Sequence, residues 1–86
     1  MILQRRRRTL IKVYVLVVAE PGSDKKVAQA LREMPEVTNV HEVMGPYDVV
    51  VEFQVETMQE VPPILTERIR TVDGIESTTS LVTLPD

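Results

Sequence analysis

The stretch LIKVYVLVVA, residues 10–19, constrains the fold more than any other part of the chain. β-Branched and aromatic side chains dominate it, and apolar residues occupy both parities: Ile11, Val13, Val15 and Val17 on one, Tyr14, Leu16 and Val18 on the other. Successive residues of a strand point to opposite faces, so a strand of this kind must be covered on both sides, as a central strand is. The run falls short of the roughly 20 apolar residues that a bilayer crossing requires. Lys12 interrupts it, Glu20 closes it, and no small-residue cleavage site follows MILQRRRR, so neither a membrane span nor a signal peptide is expected. A soluble, cytoplasmic chain is the expectation.

Downstream, breakers and periodicity mark the remaining elements. Pro21-Gly22 ends the first strand, and Ser23 offers an N-cap to a helix over 24–34, with Val27, Ala30, Leu31 and Met34 on its apolar side. Pro35 stops that helix, and residues 37–44 form a second strand whose apolar positions 37, 40 and 43 slip out of strict alternation, as a bulge or a partly exposed edge would make them. A turn at Gly45-Pro46-Tyr47-Asp48 leads into a third strand, with Val49, Val51, Phe53 and Val55 on one face and Asp48, Val50, Glu52 and Gln54 on the other. Val61, Ile64, Leu65, Ile69 and Val72 then recur at helical spacing up to Asp73-Gly74. The start of that helix stays open between a capping box at Thr57–Glu60 and the pair Pro62-Pro63, since proline is comfortable only in a first turn. Residues 75–84 give the last strand, in which Ile75, Ser77, Thr79 and Leu81 alternate with Glu76, Thr78, Ser80 and Val82. The order β-α-β-β-α-β predicts an α+β, ferredoxin-like domain: a four-stranded antiparallel sheet with two helices on one face.

At 86 residues there is room for one core, and the chain has no cysteine to staple it. Two helices cover only one face of the sheet, while the first strand is apolar on both. A second copy of the chain, giving a dimer through the sheets, is the simplest cover for the other face. The alternative is an outer face diluted by Lys12, Glu52, Thr78 and Ser80. The net charge is −3, and because Arg5, Arg6, Arg7 and Arg8 supply four positive charges the other 82 residues carry −7. An acidic body with a basic N-terminal arm over 1–9 argues against nucleic acid as the ligand of the domain over 10–86.

Three stretches carry a family resemblance: VYVLVVAEPG at 13–22, ALREMPEVTNVHEVMGPYDVVVEF at 30–53 and DGIESTTSLVTL at 73–84. From Leu10 to Leu84 the chain resembles the effector-binding domain, or RAM domain, of the Lrp/AsnC family of feast/famine transcription regulators. The Gly45, Tyr47, Asp48 turn is the most telling piece. What the resemblance implies is a dimer formed through the sheets, rings of dimers, and amino acids bound in pockets where dimers meet. The chain looks like a stand-alone member without the family's helix-turn-helix domain, which does not itself read DNA sequence; its expected role is either to join full-length regulators of the family as a partner or to modulate an enzyme.

A free amino acid needs donors for its carboxylate, an acceptor for its ammonium and a wall for its side chain. By resemblance, Gly45 lets the backbone approach such a ligand, Asp48 accepts from the ammonium, and Tyr47 forms a wall. From the residues alone, the same segment is also ordinary hairpin chemistry with Asp48 capping its own turn. Thr78 and Ser80 share a face of the last strand and match the family's hydroxyl pair, where they would bind the carboxylate; a threonine-rich strand facing water reads the same way. His41 has no second histidine or cysteine to complete a metal site. Glu33 with Glu36 and Glu56 with Glu60 read as solvated helix ends, with no nucleophile nearby. No catalytic residue, metal or cofactor is therefore expected, and the functional expectation is an amino-acid-sensing, oligomerising regulatory module. The competing class is a small dimeric-barrel enzyme acting on a small molecule, and a third is a nucleic-acid-associated protein working through its arginine arm.

Overall fold

The computed structural model describes residues 10–84; the Arg5–Arg8 arm lies outside the described residues. Four strands form one antiparallel sheet: β1 Ile11–Ala19, β2 Val37–Glu42, β3 Val49–Val55 and β4 Ile75–Val82, in the spatial order β2-β3-β1-β4. The run apolar in both parities is thus an interior strand, as its composition requires. Helix α1, Asp24–Arg32, joins β1 to β2. A second helical segment joins β3 to β4, made of a 3-10 turn at Met58–Glu60, an α-helical turn, α2, at Val61–Pro63, and a π-helix at Ile64–Ile69.

One face of the sheet makes the core. Val13, Val15, Val17 and Ala19 of β1 and Val49, Val51, Phe53 and Val55 of β3 pack with Val27, Ala28 and Leu31 of α1 and with Val61 and Ile69 of the second segment. Both explanations left open for the slip in β2 apply: it is an edge strand, and it carries a bulge, in which Val37 pairs with Phe53 and Val40 with Val51 across a register shift at Thr38, whose hydroxyl donates to the Glu52 carbonyl at 2.9 Å. That extra residue returns both valines to the core side.

Helix starts differ from expectation in instructive ways. Ser23 occupies the N-cap position of α1, yet its hydroxyl makes no capping bond. The turn is held by backbone instead, with the Ser23 amide donating to Glu20 O at 2.9 Å. The capping box at Thr57 is real: one carboxylate oxygen of Glu60 accepts from the Thr57 amide at 2.7 Å and the Glu56 amide at 3.0 Å. Pro62 and Pro63 then fall in the first turn of α2, where a missing N–H costs little. Both starting points left open by the sequence are used, one after the other.

The outer face carries Tyr14, Leu16 and Val18 of β1, each half-buried, with Val50 half-buried beside them on β3. Its polar part is Lys12, Glu52, Gln54 and Asn39. The Glu52 carboxyl is held below its ordinary range by hydrogen bonds from the amides of Gln54 and Asn39, against the opposing cost of partial desolvation. Thr78 and Ser80 do not dilute this face. Register sets them opposite Val17 and Val15, on the helix side, and the outward residues of β4 are Ser77, Thr79 and Leu81. Among the described residues no helix is long and apolar enough to cross a membrane.

Candidate functional site

The hairpin turn is built from both flanking strands. The Val43 amide donates to Asp48 O at 3.0 Å, and the Asp48 amide donates to Val17 O at 2.8 Å, extending the sheet past the last paired residues. Asp48 Oδ2 accepts from the Ala19 amide at 2.8 Å, so the carboxylate seals the end of β1. Between them, Gly45 has φ +139°, a conformation that side chains rarely adopt, and open space where a Cβ would stand. Tyr47 is half-buried, while Met44 at the tip is fully exposed.

Thr78 and Ser80 stand elsewhere. Val17 pairs with Val49 on one side and with Thr78 on the other, so the β1 backbone separates the hairpin turn from the hydroxyl pair. Two strand spacings put those flanking backbones about 10 Å apart. Within one copy of the chain the five candidate residues therefore form two groups, Gly45, Tyr47 and Asp48 in one and Thr78 and Ser80 in the other. Thr78 is half-buried and Ser80 exposed. His41 faces outward from edge strand β2, opposite Val50, and is exposed. Among the described residues no group of three histidine, cysteine, aspartate or glutamate side chains is placed to hold a metal ion.

A feature that the sequence pattern does not announce lies beside Thr78. The register of β4 shifts between Ile75, opposite Ala19, and Ser77, opposite Val18, which leaves Glu76 as a bulge. The bulge moves Ile75 onto the same side as Thr78 and Ser80, where regular alternation had put it opposite them. A cavity of about 250 Å³ opens there, lined by Arg70, Ile75, Glu76, Ser77 and Thr78. Arg70 directly follows the π-helix, and its amide donates to Leu65 O, five residues back, at 2.9 Å.

Sequence and structure comparisons agree on where this architecture belongs. The Lrp/AsnC ligand binding domain matches residues 12–85. An uncharacterized HTH-type transcriptional regulator of Pyrococcus horikoshii is 35% identical over 74 residues, covering 85% of this chain and 47% of that protein. The chain thus spans about half the length of the curated relatives it matches. A Thermus thermophilus protein superposes with a TM-score of 0.82 at 28% identity, covering 88% of this chain and 95% of its own. A hypothetical protein of P. horikoshii gives 0.80 at 28% identity, with 88% and 92% covered. The same fold, at 15% identity and a TM-score of 0.77, is seen in a Neisseria meningitidis transcriptional regulator solved as a complex with L-methionine, over 88% of this chain and 51% of that one. With a family match along nearly all of its described length and the fold to go with it, the chain belongs to the Lrp/AsnC ligand-binding-domain family.

Proposed function

We propose that the chain is a non-catalytic, cytoplasmic regulatory module that binds an amino acid, or a closely related small metabolite, and couples its occupancy to self-association. The observation that carries this reading is the ligand-binding-domain match over residues 12–85. The L-methionine complex of a fold relative is in keeping with it.

The division of labour in the pocket follows from chemistry. At the hairpin turn, Gly45 gives close approach to backbone, Tyr47 gives a wall, and Asp48 keeps acceptor capacity beyond its bond to Ala19, because a carboxylate has about four acceptor positions. Thr78 and Ser80 supply hydroxyl donors. Since the β1 backbone separates the two groups within one copy, a small ligand that touches both bridges two copies. Ligand and assembly then stabilise each other through differential affinity for the assembled state.

The half-buried Tyr14, Leu16, Val18 and Val50 supply the surface for sheet-to-sheet pairing, which makes the unit a homodimer from which rings of dimers are built. Full-length regulators of the family are natural partners for co-assembly through the same surfaces, and the basic arm over 1–9 is a separate segment from the domain over 10–86. The test is a thermal-shift screen of the twenty amino acids with light scattering on the same samples. A few amino acids that raise the midpoint and change the assembled mass support the reading. No response in midpoint or mass to any amino acid refutes it.

A further inference from the structure

We infer that Met44, at the tip of the β2–β3 turn, is a reversible oxidation site: a peroxide transfers one oxygen atom to its thioether sulfur, and the sulfoxide weakens the contact that this turn makes with another copy of the chain. This rests on the reading above, in which the hairpin turn takes part in assembly, and adds to it a chemical input other than an amino acid.

Sulfur chemistry in this chain belongs to methionine alone, since there is no cysteine. The three described methionines differ in their surroundings. Met34 is half-buried and packs against the core. Met58, in the 3-10 turn, is 53% exposed, and Met44 is 100% exposed. An oxygen donor must reach the sulfur, so exposure puts Met44 first, Met58 second and Met34 last.

Position matters as much as access. The Val43 amide and the Asp48 carbonyl close the loop over residues 44–47 at 3.0 Å, Gly45 in that loop has open space where a Cβ would stand, and Val43 beside it is exposed. A wholly exposed side chain contributes nothing to the core of its own copy, so Met44 can change without cost to the fold. What it offers is a flexible, polarisable apolar group at a contact surface, a use to which methionine is well suited.

The sulfur lone pair attacks one peroxide oxygen, and the S–O bond forms as the O–O bond breaks. The departing hydroxide takes the proton of the transferred oxygen and leaves as water, so sulfur is oxidised by two electrons and the peroxide is reduced by two. The sulfoxide oxygen is polar, and pressing it into an apolar contact without a hydrogen-bond donor is unfavourable. A methionine sulfoxide reductase restores the thioether, removing the oxygen as water while two thiols become a disulfide. Oxidation and assembly thereby oppose each other, so an amino acid that promotes assembly slows the oxidation of Met44.

The test exposes the full chain to graded hydrogen peroxide and follows each methionine by peptide mass spectrometry, the assembled mass by light scattering and the amino-acid response by thermal shift. Met44→Leu, which keeps an apolar side chain without sulfur, runs in parallel, and circular dichroism confirms that every sample is folded. Met44 is expected to gain an oxygen severalfold faster than Met58 or Met34. The treated wild type should then lose assembled mass and its amino-acid shift, regain both after methionine sulfoxide reductase, and keep its circular dichroism spectrum throughout, while treated Met44→Leu keeps mass and shift. Oxidation of Met58 or Met34 as fast as Met44, or a Met44-oxidised protein with untreated mass and response, overturns the inference and leaves the amino-acid reading standing. So does an equal loss of mass in treated Met44→Leu. A wild type that neither assembles nor responds to any amino acid overturns both.

Discussion

Asp48 and Ala19, 29 positions apart in sequence, are joined by a 2.8 Å hydrogen bond in which the aspartate carboxylate accepts from the alanine amide. The same aspartate's own amide donates to Val17, so one residue clamps the β2–β3 turn onto the end of the central strand. A carboxylate that also met a ligand's ammonium would serve two ends, and substitutions can separate them. Asp48→Ala removes the acceptor and is expected to cost about 1–3 kcal/mol in urea unfolding. Asp48→Asn keeps an acceptor oxygen and is expected to retain most of that stability. If both variants unfold like the wild type, the clamp is not a stabilising contact.

Gly74 closes the second helical segment against the first. Its φ is +97°, and a Cβ there would fall 3.0 Å from Ser23 Cβ and 3.0 Å from Val27 Cγ2. Gly22 shares the positive φ, at +82°, but has nothing within 4 Å. Gly22→Ala is therefore expected to cost only the backbone term, about 1–2 kcal/mol. Gly74→Ala carries that term plus the clash and should lower the thermal midpoint further. Equal midpoints for the two variants would show that the helix–helix approach at Gly74 relaxes freely.

Acid stability should report on three carboxylates. Glu36 is held below its ordinary range chiefly by the hydrogen bond from Arg68, whose Nε lies 2.8 Å and whose second nitrogen lies 3.2 Å from its two oxygens. Glu60 is lowered chiefly by the Thr57 amide and hydroxyl, and Glu52 by Gln54. A carboxyl whose pKa is lower folded than unfolded adds stability that is present above its unfolded value and lost as pH falls through the folded one. Stability should accordingly be flat at neutral pH and decline below the ordinary glutamate range. Glu60→Gln should shrink that decline. An unchanged acid limb in Glu60→Gln would mean that the capping box is not linked to folding.

Arg68→Ala separates charge from cap. Both partners keep solvent contact, with side-chain exposures of 47% and 30%, so the pair is worth only about 0.5 kcal/mol after screening. A small drop in midpoint that disappears in high salt is expected. A drop of several kcal/mol would instead mean that Arg68 anchors the second helical segment by packing.

The two faces of β1 predict opposite outcomes. Val15 is fully buried in the core, and Val15→Asp should abolish folding, since it buries an unpaired charge. Leu16, its neighbour on the outer face, is half-buried. Leu16→Asp should leave the circular dichroism spectrum intact and lower the mass seen by light scattering. A Leu16→Asp protein with the wild-type mass would rule out pairing through this face.

Element order, the central placement of residues 10–19 and the core parities of β1 and β3 were all legible in the chain, because a strand's burial is written in a period of two and its ends in proline and glycine. The bulge in β2 was legible too, since Val37 and Val40 cannot otherwise share a face. Both these signals are local. The parity of β4 was not legible: IESTTSLV is polar on both sides, so no apolar pattern pins its register, and only pairing with β1 shows that Thr78 and Ser80 face the helices and that Glu76 is the extra residue. The π step before Arg70 likewise leaves no mark in the spacing of Ile64, Leu65 and Ile69, because it is settled by how the segment packs over the sheet once Pro62 and Pro63 have set its start. The chain's hydrophobic pattern thus determined the architecture by itself. Where the polar candidate residues stand relative to one another was decided only in three dimensions, since hydroxyls and charges on an edge strand gain too little from either face to choose it alone.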